Sequence, residues 1–240
     1  MLPREYIELW KQWGVETPLG KSLPAHAKKA IRPVTASAPM PAPLSRPETP
    51  PAAFQTLIEV REWLGECTRC GLCADRKQIV FGSGNEKSPL LFVGEGPGAE
   101  EDEQGVPFVG KAGQLLTKII EAMGYERKAF YIANTVKCRP PENRAPTYEE
   151  IQQCLPFLKA QIEVIQPKYL VALGLHAATT LTGQNIAISN LRGRFHKLAW
   201  NPDIMVMPTY HPAYLLRNPA AKKMVWEDVK QVKTKLEQLA

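Results

Sequence analysis

The sequence predicts an α/β protein, a three-layer α/β/α sandwich around a central, mainly parallel sheet. Two observations carry this: short apolar runs that end at glycine or a polar residue, and amphipathic segments of helical period that alternate with them. PLLFVGE (89–95) is the first run and reads as a buried strand. AGQLLTKIIEAMG follows, with Leu115, Leu116, Ile119, Ile120 and Met123 on one helical face and Gly124 as its stop. AFYIANTV (129–136) is the next strand. Thr147 and Glu150 form a capping-box pattern that opens a helix to about residue 166, with a kink or restart expected at Pro156. KYLVALG and then HAATTLTG repeat the strand-to-helix order. IMVMPTY is the last strand, and an amphipathic helix over 220–239 closes the chain.

In such sheets ligands sit beyond the carboxyl ends of the strands. The residues there are GEGPG, Asn134, Gly174 and His211, so polar and glycine positions gather where the fold would put a site.

The alternation starts only after residue 53. Residues 39–51 read PMPAPLSRPETPP, which buries little and favours extended, solvated backbone. Ahead of it Tyr6, Leu9, Trp10 and Trp13 recur at helical spacing. The expected organisation is an arm over 1–55 and a globular domain over 56–240. The arm's apolar stripe either docks on its own domain or captures a partner protein in its groove.

The 240 residues are enough for a proper core, and 44% hydrophobic with 22% charged residues is ordinary for a soluble protein. A net charge of +6 and a pI near 9.0 lean towards a polyanionic partner. No apolar run approaches the ~20 residues of a membrane span, and the amino terminus lacks the order of a secretory signal. A cytoplasmic monomer with no membrane contact is the expectation.

Five cysteines in a cytosolic chain point to metal or catalysis in place of a disulfide framework. CTRCGLC supplies Cys67, Cys70 and Cys73; Cys138 ends a strand region and Cys154 lies in the first turns of the next helix. Strand end and helix start are neighbours in a βα unit, so both can meet a CxxC pair. Spacing does not separate an iron–sulfur cluster from Zn²⁺, since both take four thiolates, and it leaves Cys73 surplus.

GEGPGAEEDEQGVPFVGKAG (94–113) leaves a strand and enters a helix near Lys111. It lacks the P-loop GK[ST], and Glu100, Glu101 and Asp102 would repel pyrophosphate. Phe108 is a ring in a loop, available to stack on a flat ligand.

CTRCGLCADRKQIVFGSGN, LLFVGEGPGAEEDEQGVPFVGKAGQLL, YIANTVKCRPPENRAPTYEE and PTYHPAYLLR, in this order, together resemble the family 4, iron–sulfur uracil-DNA glycosylases from about Cys67 to the carboxy terminus. The resemblance implies hydrolysis of the N-glycosidic bond of deoxyuridine in DNA, after the base is flipped out of the duplex, as the first step of base excision repair. It implies that Phe108 stacks on the pyrimidine, that Asn134 reads its O4 and N3–H edge, and that His211 bonds O2 of the departing base.

Compared with the family 1 motif GQDPYH, GEGPGA puts Gly96 at the aspartate and Gly98 at the tyrosine. Glu95 is then expected at the base, Glu101 at the water or in loop ordering, and Asn143 helping to position the water. Leu215 or Leu216 would fill the space that the base vacates, while Arg192, Arg194 and Arg217 would hold backbone phosphates. A [4Fe–4S] cluster on Cys67, Cys70, Cys138 and Cys154 would be structural, with Cys73 a bystander. CRPPENRAP has no histidine for covalent capture, so turnover is expected. His176 is expected to be structural, and His26 lies in the linker; the partner expected for the arm is then a repair or replication protein. The rival readings are a DNA-binding or recruitment module without turnover and a zinc protein that processes nucleotides.

Overall fold

The computed structural model describes residues 53–239, so the amphipathic stripe and proline-rich linker lie outside the described residues. Six strands form one sheet in the order β1-β3-β2-β4-β6-β5: β1 (Ser83–Gly84), β2 (Leu90–Gly94), β3 (Tyr131–Asn134), β4 (Tyr169–Leu173), β5 (His196–Leu198) and β6 (Asn201–Thr209). The inner four are parallel; β1 and β5 add antiparallel edges. Sequence periodicity finds the inner strands, whose uninterrupted apolar runs reflect burial on both faces. The edges are too short and polar to carry that signal.

Every residue of β2 and β3 is buried. Leu91, Val93, Ala133, Leu170, Ala172 and Val206 face one core, shared with Leu158 and Ile162 of α4 (Tyr148–Ile165) and Ala177, Ala178 and Leu181 of α5 (Leu175–Thr182). The alternate residues Leu90, Phe92, Ile132 and Val171 point the other way and are equally buried. On that side α8 (Lys222–Glu237) packs along β6, and α3 (Lys111–Ala122) packs against α7 (Pro212–Arg217). These layers agree with the predicted sandwich.

Two local expectations change. The helix through Pro156 runs unbroken, capped by the predicted box in which Glu150 N donates to Thr147 Oγ1 and Thr147 N donates to Glu150 Oε2. Proline removes one N–H, but Cys154, Phe157, Leu158, Gln161 and Ile162 are buried along this helix, and their packing holds the helix across the gap. The acidic loop also contains a short helix, α2 (Ala99–Gln104). Asp102 in it is buried and accepts from Lys77 N at 2.9 Å, so it anchors a neighbouring segment.

The chain runs from β2 to β3 on one side of β2, then returns past it to β4 on the other. The loops after β2, β3 and β4 therefore diverge around a single opening, which the loop after β6 also reaches.

Candidate active site

At that opening lies a cleft of about 450 Å³, lined among others by Glu95, Gly96, Glu101, Phe108, Asn134, Asn143, His211 and Arg217. These eight positions, singled out from the sequence, come from three segments, at the carboxyl ends of β2, β3 and β6.

Asn134 ends β3 and is 1% exposed, yet its Oδ1 has no hydrogen-bond partner. An unpaired buried polar atom costs about 1–3 kcal/mol, a cost that an incoming donor would offset. Behind the amide stands Gly94, where an added Cβ would lie 2.4 Å from Asn134 Oδ1 and 2.6 Å from Phe108 Cζ. Only glycine lets ring and amide share this floor. The Asn134 carbonyl accepts from Lys137 Nζ at 2.9 Å; that buried ammonium also donates to Gln161 Oε1 at 2.6 Å. Burial pushes the Lys137 pKa down to about 8, with Cys154 and Cys138 opposing the shift.

Phe108 sits at φ 54°, a backbone conformation that non-glycine residues seldom adopt. Gly113 of α3 approaches its carbonyl so closely that a Cβ there would lie 1.8 Å from the oxygen. The strained loop is thus clamped, and the ring faces the His211 ring at a centroid distance of 5.6 Å.

His211 precedes α7, and its Nδ1 accepts from Ala213 N at 3.1 Å. The hydrogen of the neutral ring therefore belongs on Nε2. Burial, assisted by the charge of Arg217 and opposed by Glu101, pushes the His211 pKa down to about 4. At neutral pH the residue is an uncharged donor through Nε2.

Of the two candidate carboxylates, Glu101 is occupied. It accepts from Gly98 N at 3.1 Å and from Val109 N and Gly110 N at 2.9 Å each, tying both ends of the Phe108 loop together. That is loop ordering, and it leaves Glu95 as the less committed acid. Burial raises the Glu95 pKa, and His176, with Nε2 at 3.9 Å from Glu95 Oε2, pulls it back. Asn143 lies in a left-handed turn with Glu142, at φ 55° and 52°, and its Oδ1 accepts from Arg139 Nε at 2.8 Å. Arg144 pins that turn through a two-pronged ion pair to Glu150 at 2.8 and 2.6 Å.

One expectation needs correction. The Arg192 guanidinium donates to both Asp228 oxygens, at 3.0 and 2.6 Å, and to the Met224 carbonyl. This ion pair is folded inward, so Arg192 gives way as a phosphate contact. Arg194 is exposed but does not line the cleft, whereas Arg217 does. His176, expected to be structural, flanks Glu95. The one signal for it is its place as the second residue of the helix that follows β4. Of the two leucines, Leu215 is fully buried and Leu216 is 47% exposed, so Leu216 alone can reach a partner.

A second cavity is lined by all five cysteines, with Arg69, Arg76 and Lys137 among its other walls. Arg69 Nη1 lies 3.5 Å from Cys67 Sγ, Arg76 Nη1 lies 3.4 Å from Cys138 Sγ, and Lys137 N donates to Cys154 Sγ at 3.3 Å. Arg69 Nη2 is buried with no partner. Burial raises the thiols of Cys70 to about 11 and Cys154 to about 12. Among the described residues, no group of three or more His, Cys, Asp or Glu side chains is arranged to hold a metal ion.

The chain matches a family model, the uracil DNA glycosylase superfamily, over residues 81–230. It is 46% identical to a type-4 uracil-DNA glycosylase of Thermotoga maritima over 178 residues, 73% of this chain and 92% of the relative. It is 42% identical to a type-4 enzyme of Sulfurisphaera tokodaii, covering 75% of this chain and 84% of the relative. A type-4 enzyme of Archaeoglobus fulgidus is 37% identical, with coverage of 75% and 92%. With this similarity running through the strands that carry Glu95, Asn134 and His211, the chain belongs to the uracil DNA glycosylase superfamily.

Proposed function

We propose that the protein is a uracil-DNA glycosylase that hydrolyses the N-glycosidic bond of deoxyuridine in DNA and so starts base excision repair. The observation that carries the reading is the buried, unpartnered amide oxygen of Asn134, a residue that lines the cleft together with Phe108 and His211. Extruding a base costs a few kcal/mol, and stacking on Phe108 offsets part of it. Asn134 Oδ1 accepts from uracil N3–H while its amide group donates to O4. Cytosine reverses that pattern and leaves both groups unpaired.

The His211 Nε2–H donates to uracil O2, where charge accumulates as the bond breaks. One such donor supplies roughly 3–4 kcal/mol. The bonding pair departs with the base, the sugar becomes oxocarbenium-like, and water adds at C1′. Glu95 orients that water and takes its proton. Leu216 fills the vacated stack and Arg217 holds a phosphate.

The cysteine cavity fits a [4Fe–4S] cluster held by Cys67, Cys70, Cys138 and Cys154. Support comes from the soft donor set and from the orphaned Arg69 Nη2, a buried cation that wants an anionic neighbour. Such a cluster supplies a cross-link, tying the CxxC segment to the end of β3 and the start of α4.

The test is single-turnover cleavage of oligonucleotides carrying uracil, thymine or hypoxanthine, read as strand breaks after alkali. Cleavage at uracil with thymine untouched is expected. Absence of product at stoichiometric protein would favour the recruitment-module reading instead.

A further inference from the structure

We propose that His176 is a positioning residue for hydrolysis, holding the Glu95 carboxylate ionised and aimed at the reacting sugar. The inference rests on the reading of Glu95 given above and extends it to a second side chain.

Glu95 follows the last residue of β2, and His176 is the second residue of α5, which follows β4. β2 and β4 are hydrogen-bonded neighbours, so their carboxyl ends bring the two side chains together. The gap of 3.9 Å is a charge contact, too long for a hydrogen bond. Between β4 and α5 lies Gly174, at φ +92°, where an added Cβ would come within 3.1 Å of His211 Cβ. The turn carrying His176 is therefore pressed against the His211 segment, beside the cleft that Glu95 and His211 line.

The energetics point the same way. Glu95 is about a third exposed and burial favours its neutral acid, which could neither orient water nor accept its proton. A cation beside it reverses that tendency. When protonated, the His176 ring is that cation. The other charged or titratable groups lining the cleft are Glu101, Arg144, His211, Tyr214 and Arg217. Glu101 is engaged by three backbone N–H groups and Arg144 by Glu150, while His211 is neutral above about pH 4. His176 is the group whose charge, when the ring is protonated, acts on Glu95 against its burial.

The experiment is the pH dependence of the single-turnover rate on a uracil oligonucleotide for wild type, His176→Ala, His176→Gln, His176→Lys and Glu95→Gln. Removing a half-exposed partner charge should move the acid limb up by roughly half a pH unit, about a threefold loss on its acid side. His176→Ala and His176→Gln should both show this, with the binding constant for uracil DNA unchanged. His176→Lys should restore the limb, because it returns the charge. Glu95→Gln should abolish the limb. If Glu95→Gln lacks the limb but His176→Ala keeps it in the wild-type position, the His176 assignment is overturned and the Glu95 reading stands. If Glu95→Gln keeps the wild-type profile, both fall. Equal melting temperatures across the set show that the readout is local.

Discussion

Replacing Gly94 by alanine tests the architecture of the base pocket at a position that touches no substrate atom. The glycine is the last residue of β2, in register with Asn134 of β3, and its backbone is of the extended kind that alanine adopts freely. What alanine lacks is room. Its Cβ would stand 2.4 Å from Asn134 Oδ1, 2.6 Å from Phe108 Cζ and 2.7 Å from Phe108 Cε2. To restore ordinary contact at about 3.4 Å the amide must retreat by about 1 Å, or the ring must swing into the cleft. The Phe108 backbone cannot yield, since Gly113 already presses on its carbonyl. Overpacking of this size costs about 1–3 kcal/mol, and a domain of this length loses roughly 2–4 °C of melting temperature per kcal/mol. Misplacing a positioning group by about 1 Å costs on the order of 100-fold in rate. The expectation is therefore a folded, slightly destabilised protein with a single-turnover rate reduced about 100-fold. Gly105→Ala is the matched control: Gly105 sits at φ +68° against Gln78 and does not line the cleft, so it should lose stability and keep activity. A Gly94→Ala variant within about threefold of the wild-type rate would refute the account of the pocket floor.

The remaining predictions concern charge and metal. Arg217→Ala should weaken binding of a uracil oligonucleotide and lower the slope of log K against log salt by about 1, as loss of one phosphate contact requires. Arg192→Met should leave that slope unchanged but destabilise the fold by about 3–5 kcal/mol, because it strands the buried Asp228 carboxylate. The His211 pKa is depressed to about 4, so the unfolded chain takes up a proton that the native site refuses. Stability should fall by about 1–3 kcal/mol as pH drops from roughly 6.5 to 4, measured by denaturant titration, and His211→Gln should remove that component. Cys70→Ser and Cys138→Ser should purify without iron and without broad visible absorption, whereas Cys73→Ser should keep both. Loss of iron in Cys73→Ser would assign that thiol a ligand role.

Sequence legibility tracks how local the governing physics is. The inner strands and the box at Thr147 announce themselves because burial and capping are decided within a few residues. The short edge strands, the unbroken helix at Pro156 and the inward turn of Arg192 depend on what packs against them, and no short window contains that. Motif resemblance singled out Asn134, Phe108 and His211, yet it did not explain why each is usable. Asn134 is free to read a base because Gly94 leaves it space and Lys137 fixes its carbonyl. His211 is free to donate because the Ala213 N–H occupies its other nitrogen. Glu101 orders its loop because three backbone amides hold it. Lys137 also connects two sites that the sequence presents separately: its side chain grips the residue that reads the base, and its own N–H bonds Cys154 Sγ. One short segment after β3 thus passes from the base pocket to the cysteine cavity within five residues, Asn134 to Cys138. A structural cluster at that cavity would fix the end of the strand from which the base is read, which gives a hydrolase with no redox step a physical reason to hold iron and sulfur so near its substrate.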